Sequence, residues 1–451
     1  MSDTIAALST GAQVSAIGIV RLSGDRAIEL ADALFTPAAG RRMPEREPRT
    51  LVYGELRRAD GELLDLCMCT VSRAPNSYTG EDTAEFQCHG SPVVLRELLG
   101  ELFALGARQA LPGEFTKRAF LNGRLELSSA EAVADLIDAE SAESARNAAG
   151  QLAGALAKRT DRIYSALTDI SAHYHAVLDY PDEDIEDFRL ESYAATLRGA
   201  AAELEALLAT HDRGKLMSSG LAAAIVGRPN AGKSSLLNAL VGYERAIVTR
   251  IPGTTRDTIE EKLKLGALTL RLTDTAGIRE TDDEVERLGV ERSRVAMESA
   301  ELVIAVVDGS GEPTEEDEEI IAAAERAPHG VVVLSKKDLN AAAEVRTTLP
   351  VVSLSSVTGE GIGELERVIG EMFPTPSVPA GEIITNVRHA EAVSRALEYI
   401  RAAVGAMESG ATPDIVLTET EGAMAAMGEL SGRTVREDVT DRIFSRFCVG
   451  K

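Results

Sequence analysis

The chain has 451 residues, of which 44% are apolar and 26% are charged, and its formal net charge is −25. The length exceeds what one hydrophobic core usually serves, so it predicts two or three domains, and the apolar content excludes a largely disordered chain. Because 72 acidic residues outnumber 47 basic ones, a general nucleic-acid or anionic-membrane surface is disfavoured, and any RNA contact has to be local or shared with a partner.

The cysteines and the N-terminus indicate the compartment. Cys67, Cys69, Cys88 and Cys448 form no Cys-x-x-Cys pair and have no histidine at zinc-ligand spacing, so neither a zinc site nor a disulfide framework is expected. The N-terminal sequence lacks a basic region followed by an apolar run, and no stretch approaches 18 uninterrupted apolar residues. We therefore expect a reduced, cytoplasmic protein without a membrane span.

The first two segments of the chain differ in their periodicity. Residues 1–118 alternate short apolar strands with turns, which predicts a mixed α+β domain. Residues 119–216 have a helical pattern, and a capping box at Ser128–Glu131 predicts the start of a long helix. Its apolar residues recur on one face, which predicts a buried stripe made of Leu156, Ile163, Leu167, Ile170 and Tyr174.

A third pattern begins at Leu221. The apolar runs 221–226, 302–307 and 331–334 are continuous rather than alternating, and helical segments separate them. Strands buried on both faces have this composition, so a doubly wound, mostly parallel sheet is predicted in a Ras-like P-loop domain at 217–376. Helical periodicity returns at 377–451. The predicted fold is therefore multidomain α/β, with the P-loop domain inserted between two parts of a helical domain.

The segment from Gly227 to Ser234 matches the phosphate-binding loop pattern. It follows the strand at 221–226 and opens a helical segment, which is the context that this motif requires. Its glycines let backbone N–H groups converge on phosphate oxygens at a helix N-terminus. Lys233 supplies a positive charge to the terminal phosphates, and the Ser234 hydroxyl is suited to bind Mg²⁺.

Two later segments match the loops that close over a terminal phosphate. Gly253–Asp257 resembles the first switch of translation-factor-class GTPases, in which Thr255 would close over Mg²⁺, although a surface turn is the alternative. Asp274–Gly277 follows an alternating strand. Asp274 can hold the metal through water, and the backbone N–H of Gly277 can meet the γ-phosphate.

Residues 335–338 read Ser-Lys-Lys-Asp, a variant of the guanine-recognition motif Asn-Lys-x-Asp. The Asp338 carboxylate can accept two hydrogen bonds from the N1 and N2 edge of guanine, which adenine cannot offer. Serine at the first position predicts weaker support of the loop and of the base oxygen, but retained guanine selectivity. Ser355–Val357 fits the last base-binding loop, with serine where alanine is usual.

Ras-like proteins orient the attacking water with a glutamine after Asp-Thr-Ala-Gly, and Ile278 occupies that position here. Two substitutes are visible. Asn230 can help to hold a monovalent cation, which would place positive charge where an arginine finger acts, or its side chain only stabilises the loop. Glu286 can orient water, or it belongs to a solvated acidic helix start.

These motifs, together with Asp-Glu-Val-Glu-Arg at 283–287 and the terminal Phe-Cys-Val-Gly-Lys at 447–451, resemble the MnmE (TrmE) family of tRNA-modification GTPases. The resemblance runs the whole length of the chain, and other GTPases lack the N-terminal domain that it includes. The matching N-terminal segments are 3–5, 18–24, 75–82, 112–115 and 118–122.

The resemblance implies that the N-terminal domain, similar to that of glycine-cleavage T proteins, mediates dimerisation and binds 5,10-methylene- or 5-formyl-tetrahydrofolate. Matching positions place Arg21, Glu85, Arg124 and Lys451 at the folate, with Arg124 where the family has lysine. The alternative for Arg21 and Glu85 is an ordinary exposed ion pair. Cys448 lies in a tail that resembles one near the folate site, and it is either a reactive thiol or a buried inert one.

By the same resemblance, hydrolysis would depend on potassium, and the G domains of a homodimer would meet across the cation sites. Potassium would be held by Asn230, Thr249, Ile251 and Thr254, and Mg²⁺ by Ser234 and Thr255. The predicted catalytic residues are Glu286, Lys233 and Asn230. The predicted nucleotide-binding residues are Asn230, Ala231, Gly232, Lys233, Ser234, Ser235, Thr249, Arg250, Ile251, Pro252, Gly253, Thr254, Thr255, Asp274, Thr275, Ala276, Gly277, Ser335, Lys336, Lys337, Asp338, Ser355, Ser356 and Val357.

The resemblance also implies a function and a partner. A heterotetramer or larger complex with the flavoprotein MnmG (GidA) would modify the wobble uridine U34 of certain tRNAs at C5 to a carboxymethylaminomethyl or aminomethyl group, using the one-carbon unit of the folate. Two alternatives remain open. A ribosome-assembly GTPase predicts a concentrated basic RNA-binding block, which neither flank contains, and a regulatory GTPase predicts no binding of tetrahydrofolate.

Overall fold

The structure, a computed structural model, describes residues 3–179, 190–243, 261–266, 268–272, 297, 300–339, 344–374, 378–434 and 437–450. The chain divides into two compact units. The first comprises Met1–Ala134, Ala149–Ala200 and Arg395–Lys451, and the second comprises Asp135–Ala148 and Ala201–Ser394. The second unit thus interrupts the first along the chain, as an inserted domain does. The four domain boundaries given above stay predictions.

A seven-stranded sheet dominates the first unit, in the order β3-β4-β5-β6-β2-β1-β7. Its neighbouring strands are antiparallel except for the parallel pair β1 and β7. The strands are β1 (Ile5–Leu8), β2 (Ser15–Ser23), β3 (Phe35–Pro37), β4 (Val52–Arg57), β5 (Leu63–Ser72), β6 (Thr83–Gly90) and β7 (Arg108–Gln109). The helices α1 (Ala27–Leu34) and α2 (Pro92–Ala104) share its hydrophobic core.

Burial alternates along these strands because one face of the sheet packs against the two helices. In β6 the side chains of Ala84, Phe86 and Cys88 belong to the core, whereas Glu85 and Gln87 are only partly buried. This one-sided burial produces the alternating sequence pattern that predicts a mixed α+β domain, and the prediction is confirmed.

The helical part of the first half is more broken than the sequence predicts. It contains α3 (Glu114–Leu121), α4 (Leu127–Ile137), α5 (Ala142–Leu152), α6 (Ala155–Asp179), α7 (Leu190–Leu208) and α8 (His211–Ser219). The stripe from Leu156 to Tyr174 is buried on α6, as predicted. The predicted capping box is wrong, because α4 already begins at Leu127, so Ser128 lies inside the helix. The hydroxyl of the neighbouring Ser129 donates to the Gln151 carbonyl oxygen at 3.1 Å.

The second unit contains a six-stranded sheet in the order β13-β12-β11-β8-β10-β9. Only the edge pair β10 and β9 is antiparallel, so the predicted mostly parallel sheet is confirmed. The strands are β8 (Leu221–Val226), β9 (Glu261–Leu265), β10 (Leu268–Leu272), β11 (Leu302–Asp308), β12 (His329–Ser335) and β13 (Val351–Ser353).

Helices cover both faces of this sheet, which explains its continuous apolar strands. The helices α9 (Lys233–Tyr243) and α11 (Ile362–Met372) pack with Ile225, Ile304 and Val333 in one core cluster. The helix α10 (Glu315–Ala324) packs with Val226, Val303 and Val332 in another. The carboxyl ends of β8, β11 and β12 lead directly into the loops that carry the predicted nucleotide site.

Three helices complete the described chain, namely α12 (Val387–Glu408), α13 (Pro413–Ser431) and α14 (Glu437–Phe444). Within the first unit, α13 packs along α6. The predicted apolar periodicity of α12 is visible in the burial of Val393, Leu397, Ile400 and Met407. Among the described helices, none combines the length and the apolar content needed to cross a membrane.

Candidate nucleotide-binding site

The predicted phosphate loop joins β8 to α9 in the second unit. Because β8 ends at Val226 and α9 begins at Lys233, the backbone N–H groups of the first helical turn lie beside the loop. A Cβ atom on Gly227 would stand 2.3 Å from the Val306 carbonyl oxygen, and Gly232 has a φ of +101°. These two glycines let the loop pass β11 closely and turn tightly, which keeps its backbone open to a phosphate.

The ammonium group of Lys233 turns back onto the loop. Its Nζ donates hydrogen bonds to the carbonyl oxygens of Gly227 at 2.5 Å and Arg228 at 2.9 Å. Burial lowers the pKa of Lys233 below the ordinary lysine value. A terminal phosphate in the loop would favour the charged ammonium and offset this desolvation, so Lys233 is well placed for the role that the sequence predicts.

Asn230 adopts a left-handed backbone conformation with a φ of +62°, which asparagine tolerates better than most residues. Its side chain is exposed and makes no hydrogen bond among the residues that the structure describes. The loop-stabilising alternative therefore gains no support from the described part of the chain. The carboxamide is accessible for a cation, as are the exposed Ser234 and Ser235 in the first turn of α9, whereas Ala231 is buried.

Ser335 ties the base loop to the phosphate loop. It ends β12 and is buried, and its Oγ donates to the Ala231 carbonyl oxygen at 2.5 Å. The Ser335 side chain also lies 3.3 Å from where a Cβ atom on Gly232 would stand, so little room is left between the two loops. The hydroxyl thus provides a loop-to-loop link at the position where the sequence departs from asparagine.

Replacing Ser335 by alanine is expected to weaken GTP and GDP binding about fivefold. The change removes the donor to Ala231 and with it one hydrogen bond of about 1 kcal/mol that holds the phosphate loop in place. Titration with a fluorescent guanine nucleotide measures the effect. Ser353→Ala is the matched control, because Ser353 is exposed on the neighbouring strand β13. Equal affinities of Ser335→Ala and Ser353→Ala would contradict the proposed role of the link.

The two predicted base-binding segments meet at Asp338. This residue lies in the 3₁₀ turn Lys337–Leu339, and its Oδ1 accepts a hydrogen bond from the Ser355 hydroxyl at 2.6 Å. Ser355 is buried, Ser356 is partly buried and Val357 is exposed. The Ser355 hydroxyl orients the Asp338 carboxylate, which is the group that the sequence assigns to guanine.

Sequence reasoning missed a charged link between the base loop and the phosphate loop. Asp308 ends β11, and its Oδ2 lies 2.6 Å from Lys336 Nζ and 3.9 Å from Arg228 Nη2. Burial by itself raises the pKa of Asp308, but hydrogen bonds from Lys336 and Ser310 hold it at about 2. The ionised carboxylate therefore connects a base-loop lysine with a phosphate-loop arginine. The position of Asp308 at the carboxyl end of a buried strand is the feature of the sequence that could have identified it as a site residue.

Several predicted site residues lie outside the described part of the chain. They include the first switch with its cation ligands, the Asp-Thr-Ala-Gly segment, the water-orienting glutamate and one folate residue. These are Thr249, Arg250, Ile251, Pro252, Gly253, Thr254, Thr255, Asp274, Thr275, Ala276, Gly277, Glu286 and Lys451. Their roles stay predictions.

Comparisons with known proteins cover both units of the chain. A family model described as the N-terminus of the GTP-binding protein TrmE matches residues 4–124, and one described as the MnmE helical domain matches residues 127–448. The tRNA modification GTPase MnmE of Symbiobacterium thermophilum is 44% identical over 455 residues, which cover 100% of this chain and 99% of the relative. The chain belongs to the MnmE family. It is therefore a GTP hydrolase, as its phosphate and base loops predict.

Other members of the MnmE family match over the same length. MnmE of Heliobacterium modesticaldum is 40% identical and covers 100% of both chains, and MnmE of Geobacillus kaustophilus is 42% identical and covers 100% of this chain and 99% of the relative. Among solved structures, the G domain of the T. maritima FeoB iron transporter is 28% identical over 33% of this chain and 96% of that chain, with a TM-score of 0.25. The predicted membership of the MnmE family is confirmed.

Three of the folate residues predicted from the MnmE resemblance lie in the described part of the chain. Arg21 on β2 and Glu85 on β6 are cross-strand partners, with Nε and Oε1 2.7 Å apart. The Arg21 guanidinium lies 5.6 Å from the centre of the Tyr78 ring and 5.7 Å from that of Phe115. The exposed Arg124 lines a cavity of about 310 Å³ beside α3 and α13.

The tail that carries the predicted MnmE thiol packs within the first unit. The Cys448 carbonyl oxygen accepts a hydrogen bond from the Gly113 N–H at 3.3 Å, and Ser9 Oγ donates to the Gly450 carbonyl oxygen at 3.0 Å. The side chain of Cys448 is exposed, so the buried-thiol alternative does not hold. Its reactivity stays a prediction.

Proposed function

We propose that the chain is a potassium-dependent GTPase that, with the flavoprotein MnmG (GidA) as partner, modifies the wobble uridine of certain tRNAs at C5. The observation that carries the GTPase part is the hydrogen bond from Ser335 to Ala231, since it joins the base loop and the phosphate loop into one site. Family membership supports the tRNA part, because the full-length relatives are named tRNA modification GTPases.

In the proposed mechanism, Asp338 accepts hydrogen bonds from guanine and Lys233 neutralises charge on the terminal phosphates. Ser234 with Thr255 would hold Mg²⁺, and Asn230 with the three ligands predicted from the first switch would hold potassium. When bound, these cations neutralise charge that develops on the phosphate oxygens. The exposed Ser234 hydroxyl and the exposed Asn230 carboxamide fit these assignments. Glu286 would orient the attacking water.

The N-terminal domain is proposed to bind 5,10-methylene- or 5-formyl-tetrahydrofolate and to form the homodimer. The pair Arg21 and Glu85 beside the rings of Tyr78 and Phe115 supports this proposal, because a few fixed polar groups among aromatic side chains suit a flat, polar heterocycle. The net charge of −25 agrees with a complex in which the partner holds most of the tRNA backbone.

The ribosome-assembly alternative is not retained. It requires an RNA-binding appendage with a concentrated basic block, whereas family models of MnmE type match residues 4–124 and 127–448. A regulatory GTPase without one-carbon chemistry would match the nucleotide site equally well. The two functions are therefore distinguished by binding of tetrahydrofolate and by modification of tRNA.

Deleting the gene is expected to remove carboxymethylaminomethyl- and aminomethyl-type uridine from total tRNA, as read by mass analysis of nucleosides. Expression of the wild-type chain should restore the modification. Arg21→Ala should hydrolyse GTP but restore several-fold less of it, because the variant lacks one of the proposed folate contacts. Arg57→Ala is the control, since Arg57 forms an exposed pair with Glu55 in the same sheet.

Two results would count against this proposal. Unchanged uridine nucleosides after deletion would contradict the role in tRNA modification. Full restoration by Arg21→Ala would contradict the folate assignment of that residue while leaving the GTPase assignment intact.

A further inference from the structure

Two of the four cysteines meet across neighbouring strands of the N-terminal sheet. The strands β5 and β6 are antiparallel with Met68 opposite Gln87, so continuing this register by one residue places Cys67 opposite Cys88. Both thiols are buried in the core beneath α1 and α2, with exposed fractions of 4% and 2%. The spacing of Cys67 and Cys88 along the sequence does not indicate that they are neighbours, because they lie on different strands.

A carboxylate completes the group on the same face of the sheet. Asp65 precedes Cys67 by two residues on β5, so the two side chains point to the same side. One carboxylate oxygen of Asp65 and the sulfur atoms of Cys67 and Cys88 all lie within 4.8 Å of one another. A soft thiolate pair with one carboxylate is a donor set suited to zinc-type cations.

The hydrogen bonds of Asp65 hold its carboxylate in place. Its Oδ2 accepts the backbone N–H of His89 at 2.9 Å, its Oδ1 lies 2.7 Å from His89 Nδ1, and the Leu66 N–H also donates to Oδ1 at 2.7 Å. The side chain is only 9% exposed, and among the described residues neither a lysine nor an arginine pairs with it. A partly buried carboxylate without a lysine or arginine partner is a favourable position for a cation.

We propose that Asp65, Cys67 and Cys88 bind a thiophilic divalent cation of the zinc type. Tetrahedral zinc with its usual bond lengths needs sulfur atoms about 3.8 Å apart, so side-chain shifts of about 1 Å close the site. A fourth ligand would be water or the exposed His89 imidazole, whose Nδ1 lies 2.7 Å from Asp65 Oδ1. Binding converts two thiols into thiolates and releases two protons to solvent.

The bound cation would cross-link β5 to β6 and stabilise the sheet on the face opposite Arg21 and Glu85. Hard cations such as Mg²⁺ prefer oxygen ligands, whereas zinc-type cations form strong bonds to sulfur. The site therefore discriminates against the magnesium that accompanies GTP.

The proposal is tested by titrating the nucleotide-free, full-length chain with Co²⁺ in a non-thiol reductant, after removal of metal with a chelator. A sulfur-to-cobalt charge-transfer band in the near ultraviolet is expected to saturate at one equivalent per chain, and Zn²⁺ should abolish it. Cys67→Ser and Cys88→Ser should lose the band, and Asp65→Asn should bind about tenfold or more weakly. Zn²⁺ should also raise the Tm of the wild-type chain.

Two serine variants serve as controls that keep the band. Cys69→Ser places the same hydroxyl in the same core two residues along β5, and Cys448→Ser removes the exposed thiol. Circular dichroism confirms that each variant is folded. The proposal is overturned if the reduced wild-type chain gives no band, if the Cys67→Ser/Cys88→Ser double variant keeps it, or if alkylation and mass analysis show a Cys67–Cys88 disulfide that excludes the metal.

Discussion

Replacing Lys233 by alanine is expected to lower kcat for GTP hydrolysis by about 10²–10³-fold, the effect of removing one preorganised group aimed at developing charge. The ammonium is already fixed at the phosphate loop by hydrogen bonds to the carbonyl oxygens of Gly227 and Arg228. Phosphoryl transfer depends on positioning and charge neutralisation, and the described loop offers no second lysine at this position.

Release of inorganic phosphate at saturating GTP measures this effect. Lys215→Ala is the matched control, because Lys215 lies on α8 of the same unit and forms an exposed pair with Glu301 at 3.1 Å. The control should retain the wild-type rate. A decrease of less than about tenfold in Lys233→Ala, with nucleotide still bound, would remove Lys233 from the catalytic residues.

The nucleotide-binding unit could be predicted in detail because short, continuous segments of the sequence mark its strands and its loops. The runs 221–226, 302–307 and 331–334 are continuously apolar because helices cover both faces of the sheet, and the motifs stand at the ends of these strands. The role of Ser335 was not predictable in this way. Its hydroxyl meets Ala231, which lies far away along the chain, and only the fold brings the two residues together.

The helical region was predicted less well. Its pattern suggested one long helix after the capping box, but the chain forms α4, α5 and α6, and Gly154 with a φ of +83° separates the last two. Ser128, which the pattern assigns to the cap, lies within α4, and the hydroxyl of the neighbouring Ser129 bonds to the Gln151 carbonyl oxygen. Tertiary contacts overrode a local signal at this point.

The group formed by Asp65, Cys67 and Cys88 shows a second limit of sequence reasoning. Its members become neighbours through the register of β5 and β6, and register is set by the buried face and the turns rather than by spacing along the chain. The same applies to the link through Asp308, which joins three loops at one edge of a parallel sheet.

Potassium is expected to stimulate GTP hydrolysis about tenfold or more over sodium, and this stimulation should depend on Asn230. Ile278 leaves the usual water-orienting position without a glutamine, so the proposed mechanism needs another source of charge stabilisation. The Asn230 carboxamide is exposed beside the phosphate-binding backbone and makes no hydrogen bond among the described residues. It is therefore accessible to a monovalent cation.

The choice of variant matters because Asn230 has a φ of +62°. Alanine would strain this left-handed backbone, whereas glycine adopts it freely and removes only the carboxamide. Asn230→Gly therefore separates the loss of a cation ligand from distortion of the loop. Binding of a fluorescent GDP analogue should remain near the wild-type affinity in this variant.

The most direct measurement is steady-state GTP hydrolysis by the wild-type chain and by Asn230→Gly, in potassium and in sodium at matched ionic strength. A large potassium stimulation of the wild-type chain that disappears in Asn230→Gly is the predicted result. Equal slow rates of the wild-type chain in both salts, or undiminished stimulation of Asn230→Gly, would contradict cation-assisted hydrolysis through this residue.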